Sequence, residues 1–255
     1  MSASRASSKN VSTSMNPVPV IERQATAVTG GLPVAGVEPF STCDWPGRLV
    51  ATVFVAGCPW RCGYCHNAGI QSRDAGTLDW DTVRRRLAPR AGFLDGVVFS
   101  GGEPTLAPQL PDWMDEMRAL GFGIGLHTAG IYPDRLARVA KRADWIGLDV
   151  KAAPGGIDAV TRVPGSEARV WRALDIVQAS GTPFECRTTL DPGCMNAEDL
   201  YRLADTLAAR GIRQVALQLG RQADGLPLSD PARWPGAAVL DYWRERFVSF
   251  SWREA

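Results

Sequence analysis

No apolar stretch in this 255-residue chain approaches the roughly 18–20 residues that a membrane span requires. No membrane partner is expected. Excess charge of one sign is missing too: 28 Lys and Arg stand against 27 Asp and Glu, a formal net charge of +1. A near-neutral chain has no global attraction for nucleic acid or an anionic membrane. Six cysteines are too few for a small disulfide scaffold, and no apolar signal-peptide core precedes them. The expected setting is reducing and cytoplasmic, where clustered cysteines suggest metal binding or catalysis. The opening "MSASRASSKNVSTSMNPVPV" lacks acidic residues and periodicity, and is rich in Ser, Asn and Pro. Residues 1–30 read as a disordered leader, although an organellar transit peptide shares this composition. Residues 31–255 read as the folded domain.

What is present is ordinary globular composition, 45% hydrophobic and 22% charged. From residue 50, β-branched apolar runs alternate with helical patterns. Runs at 50–56, 96–100, 123–128, 145–151, 184–190 and 214–219 predict buried strands. Helical spacing relates Trp80, Val83 and Leu87, then Leu110, Trp113, Met114, Met117 and Leu120, then Leu136, Val139 and Ala140. It continues with Val170, Ala173, Leu174 and Val177, and with Leu200, Leu203, Ala204, Leu207 and Ala208, where Asn196 is a candidate N-cap. Val239, Leu240, Trp243 and Phe247 predict a last helix packed on the strands, with Trp252 beyond it the candidate for exposure. Six strand–helix units in series predict an α/β fold of parallel strands covered on both faces. Periodicity alone fits a doubly wound sheet and a partial barrel equally. Ligands bind at the carboxyl ends of the strands in both. Residues 31–49 would add an edge strand or a lid.

Chemistry-bearing residues collect at those strand ends. Cys58, Cys62, Cys65 and His66 follow the first strand, and Gly101-Gly102-Glu103-Pro104 the second. His127, Asp149, Lys151, Arg187 and Gln218 mark the later ones. A structural zinc site wants four ligands, usually as two pairs. Here CxxxC overlaps CxxC, no second pair follows, and His66 adjoins Cys65 too closely to close the same tetrahedron. Three thiolates suit a cube of four irons with one iron left open. Zinc, a four-Cys cluster and redox thiols remain alternatives. The glycines of "GGEP" would let a ligand approach the backbone, with Glu103 accepting from an ammonium; a tight turn capping a helix explains the same residues. Asp149 and Lys151 flank Val150 and so share one face. Arg187 would bind a carboxylate or pair with Asp149.

In these motifs the sequence resembles the radical S-adenosylmethionine (radical SAM) superfamily. The resemblance rests on Cys58-x3-Cys62-x2-Cys65, on Tyr64 between the last two, and on "GGEP" after the next strand. It covers about residues 36–222 and implies a partial (β/α)6 TIM-like barrel, one 4Fe-4S cluster and S-adenosylmethionine. Asp44-Trp45-Pro46-Gly47, His66-Asn67 and "LDVKA" resemble glycyl radical enzyme activating enzymes, in particular the short activating proteins of anaerobic ribonucleoside-triphosphate reductase. That resemblance implies cluster ligation by Cys58, Cys62 and Cys65, and adenine contact at Tyr64. It places Gly101 and Gly102 beside the methionine amino group, and Asp149 and Lys151 at the ribose and carboxylate, with Arg187 assisting. It implies cleavage to a 5′-deoxyadenosyl radical that takes hydrogen from a glycine of a partner enzyme. The electron would come from a donor such as flavodoxin or ferredoxin.

The sequence also departs from relatives. Only 35 residues, none of them Cys, separate Cys65 from Gly101, so the extra ferredoxin-like domain of some activases is absent. His127 stands where some relatives carry Asp. Cys43, Cys186 and Cys194 are spare, Cys186 a core residue and Cys194 in a strand-end loop. The alternatives are a radical enzyme acting on a small molecule, like 7-carboxy-7-deazaguanine synthase, and a non-catalytic zinc-binding module.

Overall fold

The computed structural model describes residues 32–222 and 224–254, so the leader expected over 1–30 lies outside the described residues. The strands are β1 (Val34–Ser41), β2 (Val50–Val55), β3 (Gly96–Gly101), β4 (Gly123–Thr128), β5 (Trp145–Asp149), β6 (Phe184–Leu190), β7 (Gln214–Leu219) and β8 (Ser249–Arg253). The helices are α1 (Trp80–Leu87), α2 (Leu110–Ala119), α3 (Pro133–Val139), α4 (Ile157–Thr161), α5 (Ser166–Ser180), α6 (Ala197–Ala209) and α7 (Ala237–Arg246).

All eight strands form one sheet in sequential order. β1 runs antiparallel to β2, and every later pairing is parallel. A doubly wound sheet needs a reversal of strand order, and none occurs among the described residues. Right-handed crossovers then put every helix on one face and leave the other face free to curl inward. This is the partial-barrel arrangement, six strand–helix units from β2 to α7, with β1 and β8 added at its two edges.

Alternate strand residues serve the two faces. Val53, Val97, Phe99, Ile124, Leu126, Ile146 and Leu148 pack outward with the helices in the main core. The inner face carries a small second core of Val50, Val98, Trp45 and Trp145. Trp45 stacks on Trp145 with ring centroids 5.8 Å apart. Space for it comes from missing side chains: a Cβ on Gly96, Gly123 or Gly125 would stand 3.1, 3.4 or 3.0 Å from the Trp45 ring. Trp45 therefore plugs the barrel at the amino-terminal ends of its strands, and the open space lies at the other end.

Residues 34–41 prove to be an edge strand rather than a lid. At the other edge two expectations are corrected. α7 stops at Arg246, and Phe247 is extended (φ −117°, ψ 145°) instead of helical. The chain there turns into β8, which pairs with β7, so Trp252 is half-buried against the core instead of exposed. Phe247 still packs on Trp243, ring centroids 5.3 Å apart. Asn196 caps α6 as expected, in a reciprocal capping box with Asp199.

Candidate active site

A cavity of about 310 Å3 opens at the carboxyl ends of the strands. Cys58, Cys62, Cys65, Tyr64, Gly101, Gly102, Asp149, Lys151 and Arg187 all line it. The residues expected to hold the cluster and the cofactor are thus brought to one place, whereas Glu103 does not line it.

The loop after β2 is held as a rigid arch. Gly57 N donates to Ile70 O (2.9 Å), Cys58 N to Gln71 O (3.0 Å) and Arg61 N to Thr161 O (3.0 Å). The Arg61 guanidinium reaches back to Cys58 O (2.5 Å) and Trp60 O (2.9 Å). The Asn67 amide donates to Gly101 O (2.8 Å), fastening the cysteine loop to the glycine turn. His66 Nε2 accepts from Arg221 N (3.1 Å). Burial, with Arg221 nearby, lowers its pKa, so it stays a neutral acceptor and anchors the loop after β7. Burial pushes the Cys58 thiol up to about 11, against the Trp60 backbone N–H directed at its sulfur, and burial raises Cys62 as well. Both must release a proton when they bind metal.

The glycine turn owes its composition to backbone crowding. A Cβ on Gly102 would lie 2.1 Å from Gly57 O, and one on Gly101 (φ +115°) 2.4 Å from Val55 N. Glu103 is fully buried and serves as the cap of the 3-10 turn Pro104–Leu106. Its Oε1 accepts from Thr105 N (3.0 Å), Thr105 Oγ1 (2.6 Å) and Thr128 Oγ1 (2.7 Å), and its Oε2 from Ala129 N (3.0 Å). With those bonds made, the capping role holds and the ammonium-acceptor role does not.

Asp149 bridges two cations, Lys151 Nζ at 3.2 Å and Arg187 Nη2 at 3.1 Å. Burial alone would raise its pKa; Lys151 and Arg187 outweigh that and hold it below the ordinary value. Burial alone would lower Lys151, but the Asp149 carboxylate beside it opposes this, and Lys151 stays charged. Deeper in, His127 Nε2 lies 2.6 Å from the Asp44 carbonyl and Nδ1 3.1 Å from Ser100 Oγ. A carbonyl only accepts, so Nε2 carries the proton and Ser100 donates to Nδ1. Burial, with Arg187 adding to it, lowers His127 to about 3 and keeps it neutral.

Three buried side-chain atoms lack partners among the described residues: Trp60 Nε1, Tyr64 Oη and Arg187 Nε. All three residues line this cavity. An unpaired buried donor costs about 1–3 kcal/mol, so the fold leaves these three atoms at a cost beside the cavity. Three thiols, a cation pair and a carboxylate fit an iron–sulfur cube carrying a zwitterionic cofactor. No three Cys, His, Asp or Glu side chains among the described residues are grouped to hold a single ion. Cys186 is buried on β6, whereas Cys43 and Cys194 are exposed, and none of the three lines the cavity. Asp44, Trp60, Asn67 and Ser100 line it without having been picked out individually. Asp44 and Asn67 lay inside quoted motifs, but nothing in their types marked these contacts.

Comparison with known proteins agrees with this geometry. A family model described as Radical SAM superfamily matches residues 52–207. A Methanocaldococcus jannaschii protein named as a glycyl-radical enzyme activating enzyme is 28% identical over 181 residues, 68% of this chain and 75% of that one. A PqqA peptide cyclase of Gluconobacter oxydans is 33% identical over 136 residues, half of this chain and only 37% of that one. The crystal structure of Streptococcus suis SuiB bound to S-adenosylmethionine superposes with a TM-score of 0.62 at 15% identity, over 78% of this chain and 48% of SuiB.

Proposed function

The chain belongs to the radical SAM superfamily, whose members use a 4Fe-4S cluster and S-adenosylmethionine, and from that premise we propose that it activates a glycyl radical enzyme. The supporting observation is that three thiols, the glycine turn and the Asp149–Lys151–Arg187 cluster line one cavity. In this reading Cys58, Cys62 and Cys65 hold the cluster. When bound, the reduced cluster supplies the electron that cleaves the sulfonium to a 5′-deoxyadenosyl radical able to take hydrogen from a glycine. The chain's own residues position and shield. Gly101 and Gly102 let the two turns close so that a methionine amino group can lie against backbone. Lys151 and Arg187, fixed by Asp149, offer charge to a carboxylate, with Asp149 facing the ribose. Tyr64 forms the adenine wall. Neutral His127 and the Trp45 plug close the inner end, keeping water from a reactive intermediate.

The preferred partner is anaerobic ribonucleoside-triphosphate reductase, and the electron donor a flavodoxin or ferredoxin. Both belong to a cytoplasmic setting. The likeness to an activating enzyme over 68% of the chain supports an activase. The likeness to a peptide cyclase, though over only half the chain, favours a second reading, modification of a peptide side chain.

The test is to incubate the reduced, reconstituted protein with S-adenosylmethionine and the reductase. The expected result is a glycyl radical doublet in the reductase by EPR. S-adenosylmethionine cleavage with no radical in the reductase, but a new crosslink in a candidate peptide, would favour the second reading.

No helix among the described residues is long and apolar enough to cross a membrane.

A further inference from the structure

We propose that the outer face of the cysteine loop, centred on Gly63 and flanked by Arg61 and Arg162, is where an acidic one-electron carrier protein docks to reduce the cluster. The proposal rests on Cys58, Cys62 and Cys65 holding that cluster.

The loop has two faces. All three thiols, Trp60 and Tyr64 line the cavity, whereas Arg61, Gly63 and Arg162 do not. Gly63 is exposed and sits in the turn closed by Cys65 N donating to Cys62 O (3.2 Å), between two of the thiols. The backbone does not call for glycine there. Its φ lies outside the left-handed region, and a Cβ would meet only the tip of Arg162 (Nη2, 3.4 Å) and Asp191 Oδ2 (3.8 Å), which are ordinary contacts. Gly101 and Gly102 differ, because backbone atoms leave no room at either. At Gly63 the missing side chain leaves the chain between two thiols uncovered, and glycine serves where a partner must come close to the backbone.

Arg162 stands beside this spot in a costly conformation. It ends α4 at φ 58°, the one non-glycine residue with positive φ among the described residues. α5 ends in the same left-handed conformation on a glycine, Gly181 (φ 75°). A residue with a Cβ is strained there, and strain of this kind persists where the surroundings fix it. Here Thr161 O accepts from Arg61 N (3.0 Å) and Thr161 Oγ1 from Val163 N (3.3 Å), pinning the chain on both sides. Arg61 and Arg162 are both exposed. Neither belongs to an ion pair among the described residues. Arg61 donates to the Cys58 and Trp60 carbonyls, so its charge is not neutralised. Asp191 is the carboxylate at this edge, and its Oδ1 accepts from Gly193 N (2.8 Å). Two cations against one carboxylate favour an acidic partner. The carrier loses one electron and the cluster gains it; no bond forms or breaks and no proton moves. Because this face is not the cavity, a docked carrier does not compete with the cofactor for space.

The test uses a flavodoxin as the acidic carrier, against the native protein, Arg162→Glu, Arg162→Gly, Arg162→Lys and Gly63→Leu. Calorimetry measures binding of oxidised flavodoxin at low and high salt. Stopped-flow spectroscopy measures cluster reduction by reduced flavodoxin and, separately, by photoreduced 5-deazariboflavin, which is small and uncharged. Arg162→Glu should weaken binding about two- to tenfold at low salt, and the difference should shrink at high salt. Arg162→Lys should keep most of the affinity. Arg162→Gly should resist urea at least as well as the native protein, since glycine fits the left-handed position, yet bind flavodoxin more weakly. A purely structural arginine would not separate stability from docking in this way. Gly63→Leu should slow reduction by flavodoxin several-fold and keep the 5-deazariboflavin rate. If Gly63→Leu loads cluster poorly, the Arg162 variants decide. Unchanged affinity and unchanged reduction by flavodoxin in Arg162→Glu and Arg162→Gly overturn the proposal, as does equal slowing with both reductants. A native protein that assembles no cluster overturns both this proposal and the proposed function. A native cluster that takes electrons from flavodoxin with these variant effects but cleaves no S-adenosylmethionine sinks the function alone.

Discussion

Replacing Gly102 with alanine should damage the site far more than one methyl suggests. The new Cβ would lie 2.1 Å from Gly57 O, about 0.9 Å inside the 3.0 Å that real Cβ contacts essentially never cross. It would also meet Gly57 C at 2.6 Å and Cys58 N at 3.2 Å. All of these are backbone atoms, so no side chain can rotate out of the way. Nor can the turns part freely, because Glu103 N donates to Gly57 O (2.9 Å) and Gly102 N to Val55 O (2.9 Å). The strain must move Cys58, the first ligand, by an appreciable fraction of an ångström. Overpacking of this kind costs about 1–3 kcal/mol of stability. A misplacement near 1 Å at a reacting centre can cost about 100-fold in rate. Urea denaturation of the apo protein, iron and sulfide content after reconstitution, and the initial rate of 5′-deoxyadenosine formation measure the three links in turn. Gly69→Ala is the control: it lies in the same loop region, meets nothing within 4 Å, and should stay within about 0.5 kcal/mol of the parent. Gly102→Ala with an unchanged denaturation midpoint and a native cleavage rate would refute the crowding argument.

Asp149→Asn should cost about 3 kcal/mol, because it leaves Lys151 and Arg187 facing each other without their shared anion; urea denaturation at neutral pH reads it, and a loss under about 1 kcal/mol would contradict it. The same carboxylate predicts a pH dependence. Its folded pKa lies below the ordinary 3.8, so its contribution is present above that value and lost as pH falls through the folded one. Native protein should therefore lose stability below about pH 4, while Asp149→Asn loses less there. Trp45→Ala, which unplugs the barrel beneath Gly96, Gly123 and Gly125, should cost about 3–5 kcal/mol in the same assay. Cys62→Ala should abolish S-adenosylmethionine cleavage, and retained cleavage would contradict its role as a ligand.

Much of this was legible in the sequence because the signals were local and strong. The runs at 50–56 and 184–190 became β2 and β6 within a residue at either end, since parallel strands buried on both faces read as near-continuous apolar text. β8 was not legible. "SFSWR" is five residues long, follows directly on the stripe of α7, and its half-buried pattern gives little alternation to find. The choice between a doubly wound sheet and a partial barrel also had to wait, because strand order is a property of pairing and leaves no mark on periodicity. At the site, residue type carried the cysteines, the glycines and the Asp149–Lys151 pair. It carried neither the saturation of Glu103 by four donors nor the isolation of the Trp60 N–H. Both depend on which atoms the fold brings near. The tautomer of His127 follows from the Asp44 carbonyl, 83 positions away in sequence.

The most direct measurement is of cofactor cleavage by the chain itself. The protein is reconstituted anaerobically with iron and sulfide, reduced, and given S-adenosylmethionine, and 5′-deoxyadenosine is quantified by chromatography. A brown protein with about four irons per chain that releases 5′-deoxyadenosine is the predicted result. A fully loaded cluster with no cleavage, or a colourless protein that binds zinc instead, would contradict the account.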